Sequence, residues 1–248
     1  MIEVQNLTKR FDGKEVLKNI SATFRKGMTN LIIGQSGSGK TVLLKCIIGL
    51  YAIDEGKVIF DERCFGDMSL KEQKNLRKEF GMLFQGGALF DSMTVEENVM
   101  FPLTMNTDMT YDEKLERVNF CLKRVDLEGT NKLLPSQLSG GMIKRTAIAR
   151  AISLNPQYLF CDEPNSGLDP KTTNVIDKLI REITKEYNMT TIINTHDMNS
   201  VMEIGDTVAF IYKGELWWTG DNTNILSSDN EELNDFVFAT KLTRKLRS

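Results

Sequence analysis

The sequence predicts an α/β fold: strands alternating with helices around a mostly parallel sheet, an antiparallel β subdomain ahead of it, and a block of helices inserted into it. Three observations carry this. Short apolar runs at 29–33 and 158–161 each precede a helical pattern, and a third run lies at 190–194. Two alternating stretches, 2–7 and 16–24, flank Asp12-Gly13, which reads as a strand pair of an edge sheet. Between Gly86 and roughly Ile143 the pattern turns helical.

The elements follow in order. The run 29–33 ends at Gly34, and 41–48 is a helix. A strand at 57–60 follows the turn Asp54-Glu55-Gly56, 69–79 is a polar helix, and 81–84 is a buried strand delivering Gln85. Thr94 with Glu97, and Thr110 with Glu113, form capping boxes that each start a helix. A helix from Gly140 to about Leu154 stops at Asn155-Pro156. The strand 158–161, a helix over 170–187 with Pro170 in its first turn, the strand 190–194, and a hairpin of 208–212 with 215–219 around Lys213-Gly214 complete the pattern.

At 248 residues, 41% hydrophobic and 26% charged, the chain can bury a sizeable core. A net charge of −3 supplies no overall basic field, which argues against a nucleic-acid partner. Cys46, Cys64, Cys121 and Cys161 contain no C-x-x-C pair, and the single histidine, His196, completes no zinc spacing; the expectation is four reduced thiols in a cytosolic protein. The first residues alternate like a strand and lack the features of a signal peptide. The longest apolar run, 42–50, is broken by Lys45 and is too short to span a bilayer, so a membrane role comes through a partner.

Gly34-Gln35-Ser36-Gly37-Ser38-Gly39-Lys40-Thr41 matches G-x-x-x-x-G-K-[ST] between a strand and a helix. Its glycines let the backbone curl around a β-phosphate, Lys40 neutralises β/γ oxygens, and the Thr41 hydroxyl ligates Mg²⁺. Far along the chain, Leu138-Ser139-Gly140-Gly141-Met142 opens a helix and aims further N–H groups at an anion. A γ-phosphate for that second cradle is naturally supplied by the nucleotide of a second copy, which points to a dimer.

The strand 158–161 runs into Asp162 and Glu163. Asp162 is placed to hold Mg²⁺ through water and Glu163 to polarise the attacking water as general base. His196 and Gln85 also follow strands, and both should emerge at the sheet edge that carries Lys40 and Asp162. Gln85 is suited to touch Mg²⁺ and the water. Phe11, read as lying in the loop between the first two strands, offers an aromatic face to adenine. Asn165-Ser166-Gly167-Leu168-Asp169 precedes Pro170, and in its plainest reading Asp169 caps a helix.

In this order the motifs resemble those of the ATPase subunit of an ABC transporter, over nearly the whole chain to about Gly220. Phe11 stands for the aromatic adenine contact, 34–41 for the P-loop, Gln85 for the Q-loop, 138–142 for the signature, Asp162-Glu163 for Walker B, Gly167-Leu168-Asp169 for the D-loop and His196 for the switch histidine. The resemblance implies a P-loop NTPase core of RecA-like type, over 1–85 and 144–220, with a helical subdomain over 86–143 and a helical tail over 221–248. It also implies ATP and Mg²⁺ as ligands, a homodimer that sandwiches two ATPs head to tail with Ser139, Gly140 and Gly141 on the partner's nucleotide, and a membrane permease. The expected location is the cytoplasmic face of the inner membrane.

Two residues depart from the family pattern: Met142 where most members have Gln, and Phe11 where Tyr is usual. Met142, together with 84–95 and 98–103, resembles the MlaF-like ATPases of Mla/Mce-type systems, which move phospholipid between the membranes of a Gram-negative envelope. Another importer or exporter, for amino acids or lipoproteins, is the close alternative; a non-transport ABC protein is the distant one. Ala88, Leu89, Phe90, Met93, Phe101 and Pro102 form an apolar cluster after Gln85, read as a groove between Gln85 and Leu103 for a short helix of the permease. In the tail, Leu233, Phe236, Val237 and Thr240 share a helical face, and Lys241, Arg244, Lys245 and Arg247 form a basic end. That end reads first as a solvated terminus and second as a contact for anionic headgroups or a small regulatory subunit.

Overall fold

The computed structural model describes residues 1–238. The chain begins with strands β1 (Ile2–Phe11), β2 (Lys14–Phe24) and β3 (Thr29–Ile33), followed by helix α1 (Lys40–Ile47). β4 (Glu55–Phe60), the two-residue β5 (Arg63–Cys64), α2 (Leu70–Arg77) and β6 (Phe80–Leu83) come next. Three helices follow, α3 (Val95–Asn106), α4 (Tyr111–Arg124) and α5 (Gly140–Ile152). β7 (Tyr158–Asp162), α6 (Pro170–Glu186), β8 (Thr190–Thr195), α7 (Met198–Ile204), β9 (Thr207–Tyr212), β10 (Glu215–Gly220) and α8 (Glu231–Val237) complete it.

The chain forms two compact units, one of residues 1–73 with the stretch from 190 onward, the other of 74–189. In the first, an antiparallel sheet has the order β2-β1-β4-β5, and Asp12 and Gly13, both at positive φ, make the tight turn between β1 and β2. Ile2, Val4, Leu7, Leu17, Ile20 and Phe60 on its inner face are buried. In the same unit β3 lies between parallel neighbours β8 and β9, and β10 pairs antiparallel with β9. Every residue of β3 and β8 is buried, which explains why these strands read as continuous apolar or β-branched runs rather than alternating ones. Asn30, the second residue of β3, is fully buried yet satisfied: its Oδ1 accepts from Arg25 N and Thr207 Oγ1, and its Nδ2 donates to Thr191 O.

In the second unit β6 and β7 pair in parallel, from Phe80 opposite Tyr158 to Leu83 opposite Cys161. Both capping boxes form: Thr94 Oγ1 accepts from Glu97 N while Glu97 Oε2 accepts from Thr94 N at 2.7 Å, and Thr110 with Glu113 repeats the pattern. α5 is finished at its C-terminal end by Arg117 of α4, whose Nε donates to Ser153 O and whose Nη2 donates to Ile152 O, both at 2.9 Å. Arg124 of the same helix holds Glu182 and Glu186 of α6.

The sequence reading placed the long elements within a few residues. It missed β5 and α7, and it put Phe11 in a loop; Phe11 is instead the last residue of β1, because its pairing with Lys14 extends the ladder to the turn. In the tail, Leu233 and Val237 are buried on one face of α8 and the Phe236 ring lies 5.6 Å from that of Phe210. Thr240 and the basic residues Lys241, Arg244, Lys245 and Arg247 lie outside the described residues. Among the described residues, no helix is long and apolar enough to cross a membrane.

Candidate active site

In the first unit β3 hands over to the loop 34–39 through Gly34, at φ 150°, where an added Cβ would lie 2.2 Å from Ile211 O. No other residue type fits there without moving the β9 backbone. Gly39, at φ 110°, is the N-cap of α1 and has no side chain with which to cap it. A helix N-terminus presents backbone N–H groups and the positive end of its dipole, the geometry that suits an anion. Gln35, Ser36 and Gly37 are exposed, whereas Ser38 is buried and its Oγ has no hydrogen-bond partner. From behind, the β9–β10 turn props the loop, Gly214 N donating to Ser38 O at 3.1 Å. Lys40, 7% exposed, folds its Nζ across the loop onto Gly34 O at 2.8 Å and Gln35 O at 3.1 Å. Thr41 follows in the first turn of α1.

His196 belongs to this unit as well. Ile33 pairs with Thr195, so Gly34 and His196 are the next residues on neighbouring parallel strands, and the His196 side chain is exposed. Asp197 N then donates to Thr195 Oγ1, and the Asp197 carboxylate caps α7, which fixes the chain on both sides of the histidine. Phe11 is 39% exposed, edge-on to Tyr51 with centroids 5.4 Å apart, and the Lys9 ammonium lies 5.1 Å from its centroid. It is a strand-end aromatic outside the core. Tyr51, a second ring beside it, went unremarked in the sequence.

In the second unit the β6–β7 register sets two functional candidates level: Gln85 stands two residues past Leu83, and Glu163 two residues past its partner Cys161. Gln85 Nε2 donates to Ser166 Oγ at 3.3 Å. Asp162 ends β7 and is 8% exposed. Glu163 is half-buried at φ 49°, a left-handed conformation uncommon outside glycine. Asn165 Nδ2 donates to Asp177 Oδ1 at 2.7 Å, and Asp169 caps α6, accepting from Lys171 N and Thr172 N. The Thr172 hydroxyl, with the backbone amides, holds the Asp169 carboxyl below the usual range.

The Ser-Gly-Gly turn opens α5 in this same unit. Ser139 is its N-cap, its Oγ accepting from Met142 N at 3.3 Å, and Ser139 and Gly140 are exposed. Gly141 faces α6: a Cβ would come within 2.8 Å of Thr172 Cγ2. Further along α5, Lys144 donates to Gln85 O, and Arg150 donates to Gly87 O and Ala88 O. Neither residue was singled out from the sequence. The readable signal was a lysine on the face of α5 that also carries the buried Ala147, Ile148 and Ala151.

Of the six apolar residues expected to form a groove, Ala88, Phe90, Phe101 and Pro102 line a cavity of about 290 Å³, together with Phe84 and Arg150 among others. Phe90 and Phe101 pack with ring centroids 4.8 Å apart. Leu89 and Met93 do not line it, and none of the six is fully buried.

The family model described as ABC transporter matches residues 17–166. The probable ribonucleotide transport ATP-binding protein mkl of Mycobacterium tuberculosis H37Rv is 37% identical over 95% of this chain, which spans 66% of that relative's length. The methionine import ATP-binding protein MetN of Clostridium tetani is 42% identical over 85% of this chain and 66% of its own. The intermembrane phospholipid transport system ATP-binding protein MlaF of Haemophilus influenzae is 36% identical over 96% of this chain and 90% of its own. Among solved structures, the dimeric post-hydrolysis state of the ATP-binding cassette MJ0796, bound to ADP and phosphate, superposes with a TM-score of 0.80 at 32% identity, covering 90% of this chain and 99% of that one. CbiO1 of Clostridium perfringens, part of the ABC transporter complex cbiONQ, gives 0.86 at 30% identity, covering 100% of this chain and 98% of that one.

Proposed function

Because this chain belongs to the ABC transporter family, as one of its ATP-hydrolysing cassettes, we propose that it works as a homodimeric motor that energises phospholipid trafficking through a membrane permease. The observation that carries the dimer is the exposed Ser139–Gly140 turn at the start of α5, an anion cradle additional to the P-loop. The dimeric state of the MJ0796 cassette supports the same arrangement.

In this reading Gly34, Gln35, Ser36, Gly37, Ser38, Gly39 and Lys40 enclose the phosphates, and Lys40 exchanges its two loop carbonyls for β/γ oxygens. The buried Ser38 Oγ, which has no hydrogen-bond partner, fits a bound anion at the N-terminus of α1. Phe11 stacks on adenine. Ser139, Gly140 and Gly141 receive the partner's γ-phosphate, and Asp169 orders the turn beside them.

In the same reading Thr41 and Gln85, and Asp162 through water, would hold Mg²⁺, since hard oxygen donors are what this ion takes. When bound, Mg²⁺ neutralises charge on the β- and γ-phosphates. Glu163 takes the proton of the attacking water, and His196 donates toward the γ-phosphate. The cavity beside Phe90 and Phe101 is read as the seat of a short amphipathic helix of the permease, with the motor at the cytoplasmic face of the inner membrane.

The ATPase roles are tested by Glu163→Gln, expected to keep ATP binding, to trap a dimer and to lose roughly a hundredfold or more in turnover. A normal rate rejects Glu163 as base. Mixing Ser139→Arg with Lys40→Ala subunits should restore one working composite site per heterodimer; absence of complementation rejects the head-to-tail sandwich. The substrate is tested by isolating the permease that co-purifies and reconstituting both in vesicles. ATP-dependent phospholipid transfer is expected. Transport of methionine or of a nucleotide instead would favour the relatives of those names.

A further inference from the structure

In the first unit β2 ends the antiparallel sheet, and β10 ends the sheet that holds β9 and β3, so each has a single partner strand. The two edges are joined near one end: Lys18 N donates to Gly214 O at 2.8 Å, and Lys18 Nζ pairs with Glu215 at 3.1 Å. Past that joint they part, and a cleft of about 740 Å³ is lined by residues 21–25 of the β2 edge and by 219–221 at the end of β10. Phe24, Leu31 and Val208, all buried, belong to its lining. An edge strand leaves alternate main-chain N–H and C=O groups without a ladder partner, and such a row accepts a further extended chain.

Of the charged residues in the lining, Glu3, Asp206 and Asp221 are acidic and Arg25 alone is basic. Asp206 is engaged by Thr29, whose N and Oγ1 both donate to it. Glu3 accepts from Gln5 Nε2 at 3.3 Å, and Asp221 accepts from the amides and the hydroxyl of its own turn. Neither forms an ion pair with a lysine or arginine among the described residues, so the charge of the cleft selects a basic occupant.

The chain supplies one. Ten residues, 239–248, lie beyond the described part, and they carry Lys241, Arg244, Lys245 and Arg247 with no acidic residue. Side chains of an extended segment alternate, so Leu242 and Leu246 would share one side, and Lys241, Lys245 and Arg247 the other. The first side suits the apolar lining and the second the carboxylates. Reach is sufficient, because α8 lies against β9, with the Phe236 ring 5.6 Å from that of Phe210, and Phe210 directly follows Ala209 of the lining. Ten extended residues cover about 33 Å. We infer that residues 239–248 dock as an extended segment in the cleft between β2 and β10 of their own chain.

The test is hydrogen exchange of the purified full-length protein, read by mass spectrometry without nucleotide. Amides over 240–247 are expected to exchange at least about tenfold more slowly than in a synthetic peptide of the same sequence. Combining Lys241→Glu, Arg244→Glu, Lys245→Glu and Arg247→Glu should remove that protection. It should also speed exchange over 21–25 and 219–221 about tenfold while leaving β3 and β8 as in the parent. Glu3→Lys in the parent should weaken the protection of the tail, and in the charge-reversed chain it should restore part of it.

Tail amides that exchange as fast as the free peptide overturn the proposal, as does unchanged exchange at both edges in the charge-reversed chain. Protection that disappears on about a hundredfold dilution assigns the segment to a second copy, and protection that arises only with phosphatidylglycerol vesicles assigns it to a lipid surface. Either result overturns docking within the chain. If thermal melting shows the charge-reversed chain unfolded, the comparison of parent with free peptide, which needs no variant, decides.

Discussion

Ile33 and Thr195 sit opposite each other on neighbouring parallel strands, so that Gly34 and His196 leave the sheet at the same level. The pairing makes the distance between the P-loop entrance and the histidine a property of the sheet rather than of flexible loops. Backbone hydrogen bonds on both sides of Ile33, to β8 and to β9, keep it there.

His196→Ala should therefore remove a hydrogen-bond donor without disturbing the P-loop. The expected result is a fall in kcat of about a hundredfold with ATP affinity little changed. Phosphate release and equilibrium nucleotide binding, measured on the same preparation, separate the two effects.

Gly34→Ala brings a methyl group to 2.2 Å from Ile211 O, against backbone that has no rotamer to change. A loss of about 1–3 kcal/mol in folding stability is expected, and with it weaker ATP binding. Urea unfolding measures the first; an unchanged midpoint would show that β9 can retreat.

Thiol chemistry should distinguish the cysteines. Burial pushes the Cys46 and Cys121 thiols up to about 11, and pushes Cys161 higher still. A raised thiol pKa suppresses the reactive thiolate. In the native protein near neutral pH, a chromogenic disulfide reagent should modify Cys64, which is partly exposed, and should reach the other three only after denaturant is added.

Acid stability gives a fourth check, through Asp169. Its carboxyl is held below the ordinary value of 3.8 by the Thr172 hydroxyl and the amides it caps. A lowered carboxyl pKa stabilises the fold fully above the unfolded value and loses that contribution as pH falls through the folded one. Asp169→Asn, still a competent cap, should therefore lose less melting temperature than the parent between about pH 7 and about pH 3. Equal losses would mean that the cap is not what acid removes.

The sequence revealed those parts of the site whose chemistry is local. The P-loop, the two capping boxes, the Asp162-Glu163 pair and the strand-end positions of Gln85 and His196 depend on a few consecutive residues and on strand periodicity. Ser166, Lys144, Arg150 and Tyr51 were not legible, because each acts through a tertiary contact: with Gln85 across 81 positions, with the same loop across 59 and 62, and with Phe11 from beyond α1. Phe11 shows the reverse error. Asp12-Gly13 marked the turn correctly, yet nothing in the residues before it said how far the ladder would close toward it. α7 escaped because seven residues span about two turns, too few for a 3.6-residue period to stand out.

The two ends of α5 are electrically unequal. Arg117 occupies the carbonyls of Ile152 and Ser153, so the negative pole of the helix is already answered within the protein, while the amides after Ser139 keep their positive pole toward solvent. Such a rod is a one-ended electrode. Only its open tip has a pole left to answer, and because the dipole's influence falls off within a turn, exchanging Arg117 for a neutral residue should be felt at Ile152 and Ser153 and not at the tip about 20 Å away.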